Sequence, residues 1–390
     1  MRIVISGIGV VSSIGNNVSE NMDSLLKGKD GMGEVTLFST SNNFPVSEVK
    51  LSNNDLKKRL GLSLDATISR TSLLGMSAAK EALLDSSIDK NLRIGLISST
   101  SVGGMDLSEG FYREFREDNN KGRLRDICSH DCGASTENIA DYLNIKDHID
   151  TLSTACSSSA NSIMQGAELI KNGFLDCVLV GGSDALCQFT LNGFKSLQIL
   201  DNGKCKPFDA KRLGLNLGEG AGFIVIQSEE SKPKKNYCFL QGYANTNDAY
   251  HQTASSPEGK GPYTAMQEAL EMSGLHKEDI DYLNAHGTGT NNNDLSEITA
   301  IHRFFGDESP LFSSTKAYTG HTLGAAGGIE AVYSILAIQH QLAFANLNYN
   351  TPIADIPLSP ITSNTKTNIS TVMSNSFGFG GNCSSLIFSK

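Results

Sequence analysis

The chain has 390 residues, 39% of them hydrophobic, and a formal charge of −10; that length and apolar content support a large core or two fused units and exclude a disordered chain. The negative balance disfavours nucleic-acid partners, which require clustered Lys and Arg against phosphate. Eight cysteines without paired spacing suit a reducing compartment, and no segment supplies the roughly 20 uninterrupted apolar residues of a membrane span, so a cytoplasmic protein is expected.

The amino terminus, "MRIVISGIGVVSSIG", reads as a first buried strand and lacks the layout of a signal peptide. Its glycines fail the G-x-G-x-x-G spacing, because Ser12 stands where the third glycine belongs, so a tight strand-to-loop turn is expected instead. Further strands are expected in "LRIGLISST", "DCVLVGGSDAL", "GAGFIVIQS" and "IDYLNAHG", alternating with stretches of helical periodicity. That alternation predicts α/β layers. In "DICSHDCGAS", Cys128, His130 and Cys132 stand close together without the second ligand pair that a zinc site adds, so no metal is expected.

"STACSSSANS" carries the first chemical signal. After Cys156, the residues Ala160, Ile163, Met164, Ala167 and Ile170 recur at helical spacing, and "HIDTLSTA" before it reads as extended. Cys156 is therefore expected at a helix amino terminus, where unpaired N–H groups and the macrodipole favour a thiolate and lower the thiol pKa. The small neighbours leave room for a substrate at the sulfur. Further on, "GLNLGEGAGF" has no following Lys-Ser/Thr and runs into a strand, which points to close backbone packing and not a phosphate loop. A Lys/Pro-rich interruption, "SEESKPKKN", suggests a seam near 230 between a first part, 1–230, and a second, 231–390.

In the second part, His286 follows an apolar strand and heads the Gly/Thr loop "HGTGTNNND", after which Asp294 and Glu297 have capping-box spacing for a helix starting near Asp294. In "SSTKAYTGHTLGAAGGIEAVYS", Lys316 and His321 precede a helix of Gly and Ala, and Glu330 lies inside it in apolar surroundings. A carboxylate there needs a cationic partner, for which Lys316 is the candidate. The end of the chain, "SNSFGFGGNCSSLIFS", combines two phenylalanines, glycines able to aim a main-chain N–H into a site, and a closing strand.

Taken together, "STACSSSANSI", "KPFDAKRLGLNLGEGAGF", "NDAYHQTASSPEG", "NAHGTGTNNND", "STKAYTGHTLGAAGGIEA" and "SNSFGFGGN" resemble, in this order and over essentially the whole length, the β-ketoacyl-acyl-carrier-protein synthases of the elongating Cys-His-His type, within the thiolase superfamily. The resemblance implies a five-layered αβαβα fold built from two similar halves, usually assembled as a homodimer, with a heterodimer possible. It implies decarboxylative condensation of an acyl thioester with a malonyl thioester in fatty acid, polyketide or aryl polyene elongation. Cys156 would be the nucleophile, His286 and His321 the paired histidines, and Lys316 the lysine before the second of them. Phe379 would be the gating phenylalanine whose N–H completes the oxyanion hole with that of Cys156. Thr288 and Thr290 would hold the pantetheine arm, and Asp294 and Glu330 would support the site. No cofactor is expected on the chain itself, the phosphopantetheine being carried by the partner acyl carrier protein.

Departures bear on substrate. The frequent "RDGF" is "RLGL" at Arg212 to Leu215, and "GGTN" is "GGNC" at Gly380 to Cys383; neither is expected to touch the catalytic trio. Residues 128 to 141 are more polar than in many fatty-acid members, which suggests a short, aromatic or unsaturated chain. Because carriers are acidic and so is this chain, docking needs a basic patch, with Arg70, Lys204, Lys206, Lys211 and Arg212 as candidates. A degradative thiolase would need a second catalytic cysteine, nearest at Cys383. An initiating enzyme would use His and Asn, and a papain-like protease a Trp that the chain lacks. A chain-length-factor-like subunit would have lost its thiol, whereas Cys156 is present.

Overall fold

A computed structural model describes residues 1–89, 91–354 and 356–390. The expected apolar runs form strands β1 (Ile3–Ser12), β2 (Ile94–Ser99), β3 (His148–Leu152), β4 (Cys177–Asp184), β5 (Gly220–Ser228) and β7 (Tyr282–Asn284), and two strands not expected from the sequence, β6 (Cys238–Asn247) and β8 (Leu311–Ser313), join them. A short pair, β9 (Leu342–Ala343) and β10 (Thr365–Lys366), stands apart, and β11 (Thr371–Phe377) and β12 (Asn382–Ser389) complete the set.

The ten longer-range partners make one sheet in the order β3-β2-β4-β5-β1-β6-β12-β11-β7-β8. Its two sides repeat one pattern. In the first, β2 runs parallel to β3 and β4, and β5 runs antiparallel to β4 and β1. In the second, β7 runs parallel to β8 and β11, and β12 runs antiparallel to β11 and β6. Three rungs between β1 and β6, Ile3 to Ile5 against Leu240 to Cys238, join the repeats.

Side-chain alternation accounts for the layers, since a strand covered on both faces must be apolar on both. Ile224 and Ile226 of β5 face a central core while Phe223 and Val225 face an outer one. In the second repeat Leu386 and Phe388 face the same central core, and Ile387 faces the other outer one. Helices Arg70–Ser86 and Cys132–Leu143 cover the first outer face, Lys260–Ser273 and Asn291–Phe305 the second, and Ser158–Lys171 and Ala326–His340 lie between the two halves of the sheet. These are the five layers of a thiolase-like fold.

Glycine permits the tightest of these approaches. A Cβ on Gly9 would lie 2.1 Å from the Ala78 carbonyl oxygen, and its counterpart on Gly242 would lie 2.3 Å from that of Ala269. Each helix can therefore rest directly on the first strand of its half. Among the described residues, no helix is long and apolar enough to cross a membrane.

Candidate active site

The nucleophile turn is built from strain and small side chains. The chain leaves β3 at Leu152, passes through Ala155 at φ 55°, a conformation that costs a residue with a Cβ about 1–3 kcal/mol, and enters the helix at Ser158 with Ser157 as its N-cap. Hydrogen bonds hold it: Thr154 N–H donates to Ser158 Oγ at 2.8 Å, and Ser158 Oγ donates to the Ala155 carbonyl. Cys156 thus stands just ahead of the helix, and the expected apolar face, Ala160 to Ile170, is buried behind it.

Two loops of the second half bring the imidazoles to this sulfur. The Cys156 Sγ and one ring nitrogen from each of His286 and His321 lie within 4.8 Å of one another, and the two rings meet edge to face with centroids 5.3 Å apart. His286 leaves β7, and Glu297 fixes its loop by accepting the N–H groups of His286 at 2.8 Å and Gly287 at 2.7 Å. His321 is gripped by the first half: its N–H donates to the Asn216 carbonyl at 2.8 Å and its carbonyl accepts from Gly218 N–H at 3.0 Å. The expectation of close packing at "GLNLGEGAGF" is met there, since a Cβ on Gly218 would lie 2.1 Å from the Thr319 carbonyl oxygen.

Hydrogen bonding decides which nitrogen of each ring carries the proton. A lysine ammonium and a main-chain N–H can only donate. Lys316 Nζ lies 3.1 Å from His286 Nδ1, and Leu323 N–H donates to His321 Nδ1 at 3.1 Å. Both Nδ1 atoms are therefore acceptors, and both neutral rings carry their proton on Nε2, facing the cavity. A ring that ligates a metal through Nε2 needs the opposite arrangement, with Nδ1–H donating to an acceptor. This cluster is accordingly built to donate hydrogen bonds and not to ligate an ion.

Charge follows burial. Burial, then the neighbouring Lys316, pushes both histidines well below their usual range, and for His286 the second imidazole adds to this. They are neutral at working pH. Lys316 is buried, donates to the His286 carbonyl at 2.7 Å, and pairs with Glu330 as expected. Burial pushes Glu330 up, opposed by Lys316.

The thiol corrects the expectation of a lowered pKa. Burial pushes Cys156 up to about 11, although Lys316 and the nearby main-chain N–H groups of Phe379 and Cys156 pull the other way. Desolvation of an anion outweighs main-chain dipoles here. Alkylation of Cys156 by iodoacetamide should rise about tenfold per pH unit from 7 to 9 without a plateau, because only the thiolate reacts. Mass-spectrometric rates over that range check it, and saturation near pH 7 would contradict it.

Phe379 lies on a glycine-flanked strap between β11 and β12, half-buried, its ring stacked on Phe194 with centroids 6.0 Å apart. A cavity of about 270 Å³ opens over Cys156, His286 and His321, with Phe194, Phe379, Thr288 and Thr290 on its wall. The two threonine hydroxyls are 2.9 Å apart. Asp294 is buried but caps nothing: the helix begins at Asn291 with Thr290 as N-cap, and the carboxylate accepts from Phe208 N–H at 2.7 Å and Gly289 N–H at 3.1 Å. The Asp294/Glu297 spacing therefore serves the histidine loop in place of the helix end.

Two docking candidates are corrected. Arg70 is 3% exposed, and its guanidinium is consumed by Glu219 at 2.8 and 2.6 Å and by the Leu51 and Val49 carbonyls. Arg212 is 6% exposed and donates to the carbonyls of Thr290, Asp209 and Asn291. Both are internal ties. Lys204 is exposed but paired with Asp30 at 2.7 Å, Lys206 is half-buried, and Lys211 is exposed. Arg70→Ala should cost about 3–5 kcal/mol of stability, since it strands Glu219 in the interior, and should leave the carrier concentration dependence of the folded enzyme unchanged. Urea unfolding and a carrier titration check the two halves of this prediction.

Residues that sequence reasoning missed surround the trio. Phe377 sits 5.8 Å from the His286 ring. Asp184, buried and pushed up to about 6 by desolvation, accepts from Ser101, Val102 and Gly324 N–H groups. Asn382, in the "GGNC" departure, makes no contact with the trio but reaches the nucleophile turn through Ser157 and Asn161. In the polar segment, His130 Nδ1 lies 2.9 Å from Ser108 Oγ, and Cys128, His130 and Cys132 do not converge as the trio does.

Comparison with known proteins agrees with this geometry. The chain matches the family model for the beta-ketoacyl synthase N-terminal domain over residues 1–232 and that for the C-terminal domain over 237–350. It is 33% identical to 3-oxoacyl-[acyl-carrier-protein] synthase 2 of Staphylococcus aureus (strain MRSA252), covering 100% of this chain and 98% of that one. Among solved structures, it is similar to the ishigamide ketosynthase/chain length factor at TM-score 0.93 and 29% identity, covering 100% and 99% of the two chains. It is also similar to the ketosynthase ApeO in complex with its chain length factor ApeC from Xenorhabdus doucetiae, at TM-score 0.87 and 32% identity over 100% and 98%. A buried thiol under two Nε2–H donors, on a fold of two repeated halves, and matches that span both halves lead to one conclusion: the chain belongs to the beta-ketoacyl synthase family.

Proposed function

We propose that the chain is an elongating β-ketoacyl-acyl-carrier-protein synthase in which Cys156 carries the growing acyl group. The observation that carries this reading is the convergence of Sγ with two imidazoles inside 4.8 Å, both rings holding their Nδ1 as acceptor.

In the first half-reaction the Cys156 sulfur attacks the acyl thioester carbonyl, a C–S bond forms, and the pantetheine sulfur leaves with the thiol's proton. A thiolate serves because it is both nucleophile and leaving group. The tetrahedral oxygen lies against the N–H groups of Cys156 and Phe379, whose polarity already acts on the sulfur. In the second, the malonyl C–C bond breaks, carbon dioxide leaves, and the enolate oxygen accepts from Nε2–H of His286 and His321. The freed carbon then attacks the acyl carbonyl and expels the Cys156 thiolate. Preorganised donors of this kind are each worth about 3–4 kcal/mol in the transition state, and they must be neutral imidazoles, as burial and Lys316 keep them. Lys316 and Glu330 organise the site without transferring the reacting proton.

Thr288 and Thr290, on the cavity wall, hold the pantetheine arm that arrives on the partner carrier. The exposed Lys211 and the lysines at 204 and 206 are left as its basic contacts. The polarity of residues 128–141 is the ground for a short, aromatic or unsaturated chain. Assembly is as a homodimer, or with a chain-length-factor homologue as in two of the similar solved structures; the mass of the purified complex separates these.

The test is to incubate the protein with a panel of acyl carriers and malonyl carrier and to analyse the products by mass spectrometry. The expected result is an acyl adduct on the Cys156 peptide and a 3-oxoacyl carrier two carbons longer. No adduct and no condensed product with any acyl group would overturn the reading.

A further inference from the structure

The oxyanion hole of the proposed reaction draws one N–H from each half of the molecule. Cys156 belongs to a strained turn of the first half, and Phe379 to a strap of the second that contains Gly378, Gly380 at φ 82° and Gly381 at φ 79°. Glycine-rich backbone has the largest conformational freedom to lose. A donor on such a strap stays aimed only if something fixes the strap against the turn.

Asn382 stands where the strap ends and β12 begins. Its carbonyl closes the strap by accepting Gly378 N–H at 2.7 Å. Its side-chain Oδ1 reaches across to the other half, 2.5 Å from Ser157 Oγ and 3.1 Å from Asn161 Nδ2. Ser157 follows the nucleophile, and Asn161 Nδ2 also donates to Thr154 Oγ1 at 2.8 Å, on the other side of Cys156. Asn245 of β6 completes the set: its Nδ2 lies 2.8 Å from Asn382 Oδ1 and 2.7 Å from Asn161 Oδ1. Ser384 Oγ donates to the same Asn161 oxygen at 2.8 Å. Asn382 thus touches the turn after the sulfur with its carboxamide, is linked through Asn161 to the turn before it, and closes the strap with its main-chain carbonyl, while making no contact with the trio itself.

We propose that Asn382 is a positioning residue of the oxyanion hole: its carboxamide ties the Cys156 turn to the Phe379 strap, so that two main-chain N–H groups from different halves stay aimed at one oxygen. It does not touch the reacting atoms. The proposal rests on the condensing reading above, and it assigns to this network a role in the acyl-transfer transition state beyond that of holding the fold.

The test compares two reactions of the same sulfur. Acyl transfer passes through a tetrahedral oxyanion, whereas alkylation by iodoacetamide does not and so needs no oxyanion hole. With the acyl carrier substrate that the parent accepts, Asn382→Ala should slow single-turnover acylation of Cys156 at saturating carrier by about 10- to 100-fold, the loss expected when a positioned donor is misplaced by a fraction of an ångström to an ångström. The alkylation rate and its pH profile should match the parent. Asn161→Ala, which breaks the same link from the nucleophile side, should give a comparable loss, and the double variant should cost no more than the larger single one. Should Asn382→Ala fail to fold, Asn161→Ala carries the test alone. Acylation within threefold of the parent, or alkylation falling by the same factor as acylation, overturns the proposal. A parent protein that takes no acyl group from any carrier instead overturns the condensing reading itself, so the two failures are distinguishable.

Discussion

Cys156→Ala is expected to abolish the acyl-enzyme completely and to lower condensation by at least about a thousandfold, the scale on which removal of a covalent nucleophile acts. Its cost in stability should be small. The thiol is buried but lines the cavity wall, where solvent can take the place of the sulfur, and the turn that carries it is held by Thr154 and Ser158 and not by the thiol. The histidine donors survive the substitution, so decarboxylation of malonyl carrier should persist while carbon–carbon bond formation stops. Intact-protein mass spectrometry after exposure to acyl carrier, together with carbon dioxide release, reads the two separately. Normal acyl labelling of the alanine protein would remove the nucleophile assignment and with it the proposed mechanism.

Lys316→Ala should be the most damaging substitution away from the sulfur. Lys316 is 1% exposed, donates to His286 Nδ1 and the His286 carbonyl, and pairs with Glu330, whose second carboxylate oxygen already has no partner. Removing the ammonium leaves a buried carboxylate uncompensated, a change that costs about 3–5 kcal/mol. It also frees Nδ1 of His286 to take the proton, which converts Nε2 from donor to acceptor on the side where enolate charge develops. Loss of one such donor lowers the rate about 100- to 1,000-fold. Denaturant unfolding reads the first effect and malonyl decarboxylation the second. A ¹⁵N spectrum of the imidazoles distinguishes the tautomer change from general damage: the His286 signals should invert while His321, whose Nδ1 accepts from Leu323 N–H, keeps its pattern. An unaltered His286 tautomer with normal decarboxylation would show that Lys316 acts only on stability.

The pH dependence of folding has opposing parts. His286 and His321 have depressed pKa values when folded, so the unfolded chain binds more protons below about pH 6.5. Their contribution to stability is therefore present above that pH and lost as the pH falls. Asp184, pushed up to about 6, and Glu297, pushed up to about 7 by burial, have the reverse sign: their contribution is present at low pH and lost as the pH rises through those values. The two sets partly cancel between pH 4 and 7.

Much of the molecule was legible from residue order. The strand at "GAGFIVIQS" was read with the bounds it has, Gly220–Ser228, because a strand buried on both faces advertises itself as an unbroken β-branched run. Cys156, His286, His321 and the Lys316–Glu330 pair were legible too, each as a chemical type in a local context. The capping-box reading of Asp294 and Glu297 failed because that motif assumes the carboxylate turns back on its own helix, and here the neighbouring loop carrying His286 and Gly287 offers better-placed N–H donors. The docking role of Arg70 and Arg212 failed because composition cannot tell an exposed guanidinium from one buried against Glu219 or a ring of carbonyls.

Sequence alone determined which groups exist, the period of their burial and the order in which the two halves are built, since periodicity and side-chain chemistry are properties of neighbours along the chain. Tertiary structure decided the rest: that the thiol is raised and not lowered, which nitrogen of each imidazole carries its proton, and that Asn382 reaches Ser157 from 225 positions away. The first depends on desolvation, the last on a hydrogen bond between the two halves, and the imidazole protons on Lys316 and Leu323 N–H within the second half. Such quantities are set by the folded geometry, which periodicity and composition do not carry.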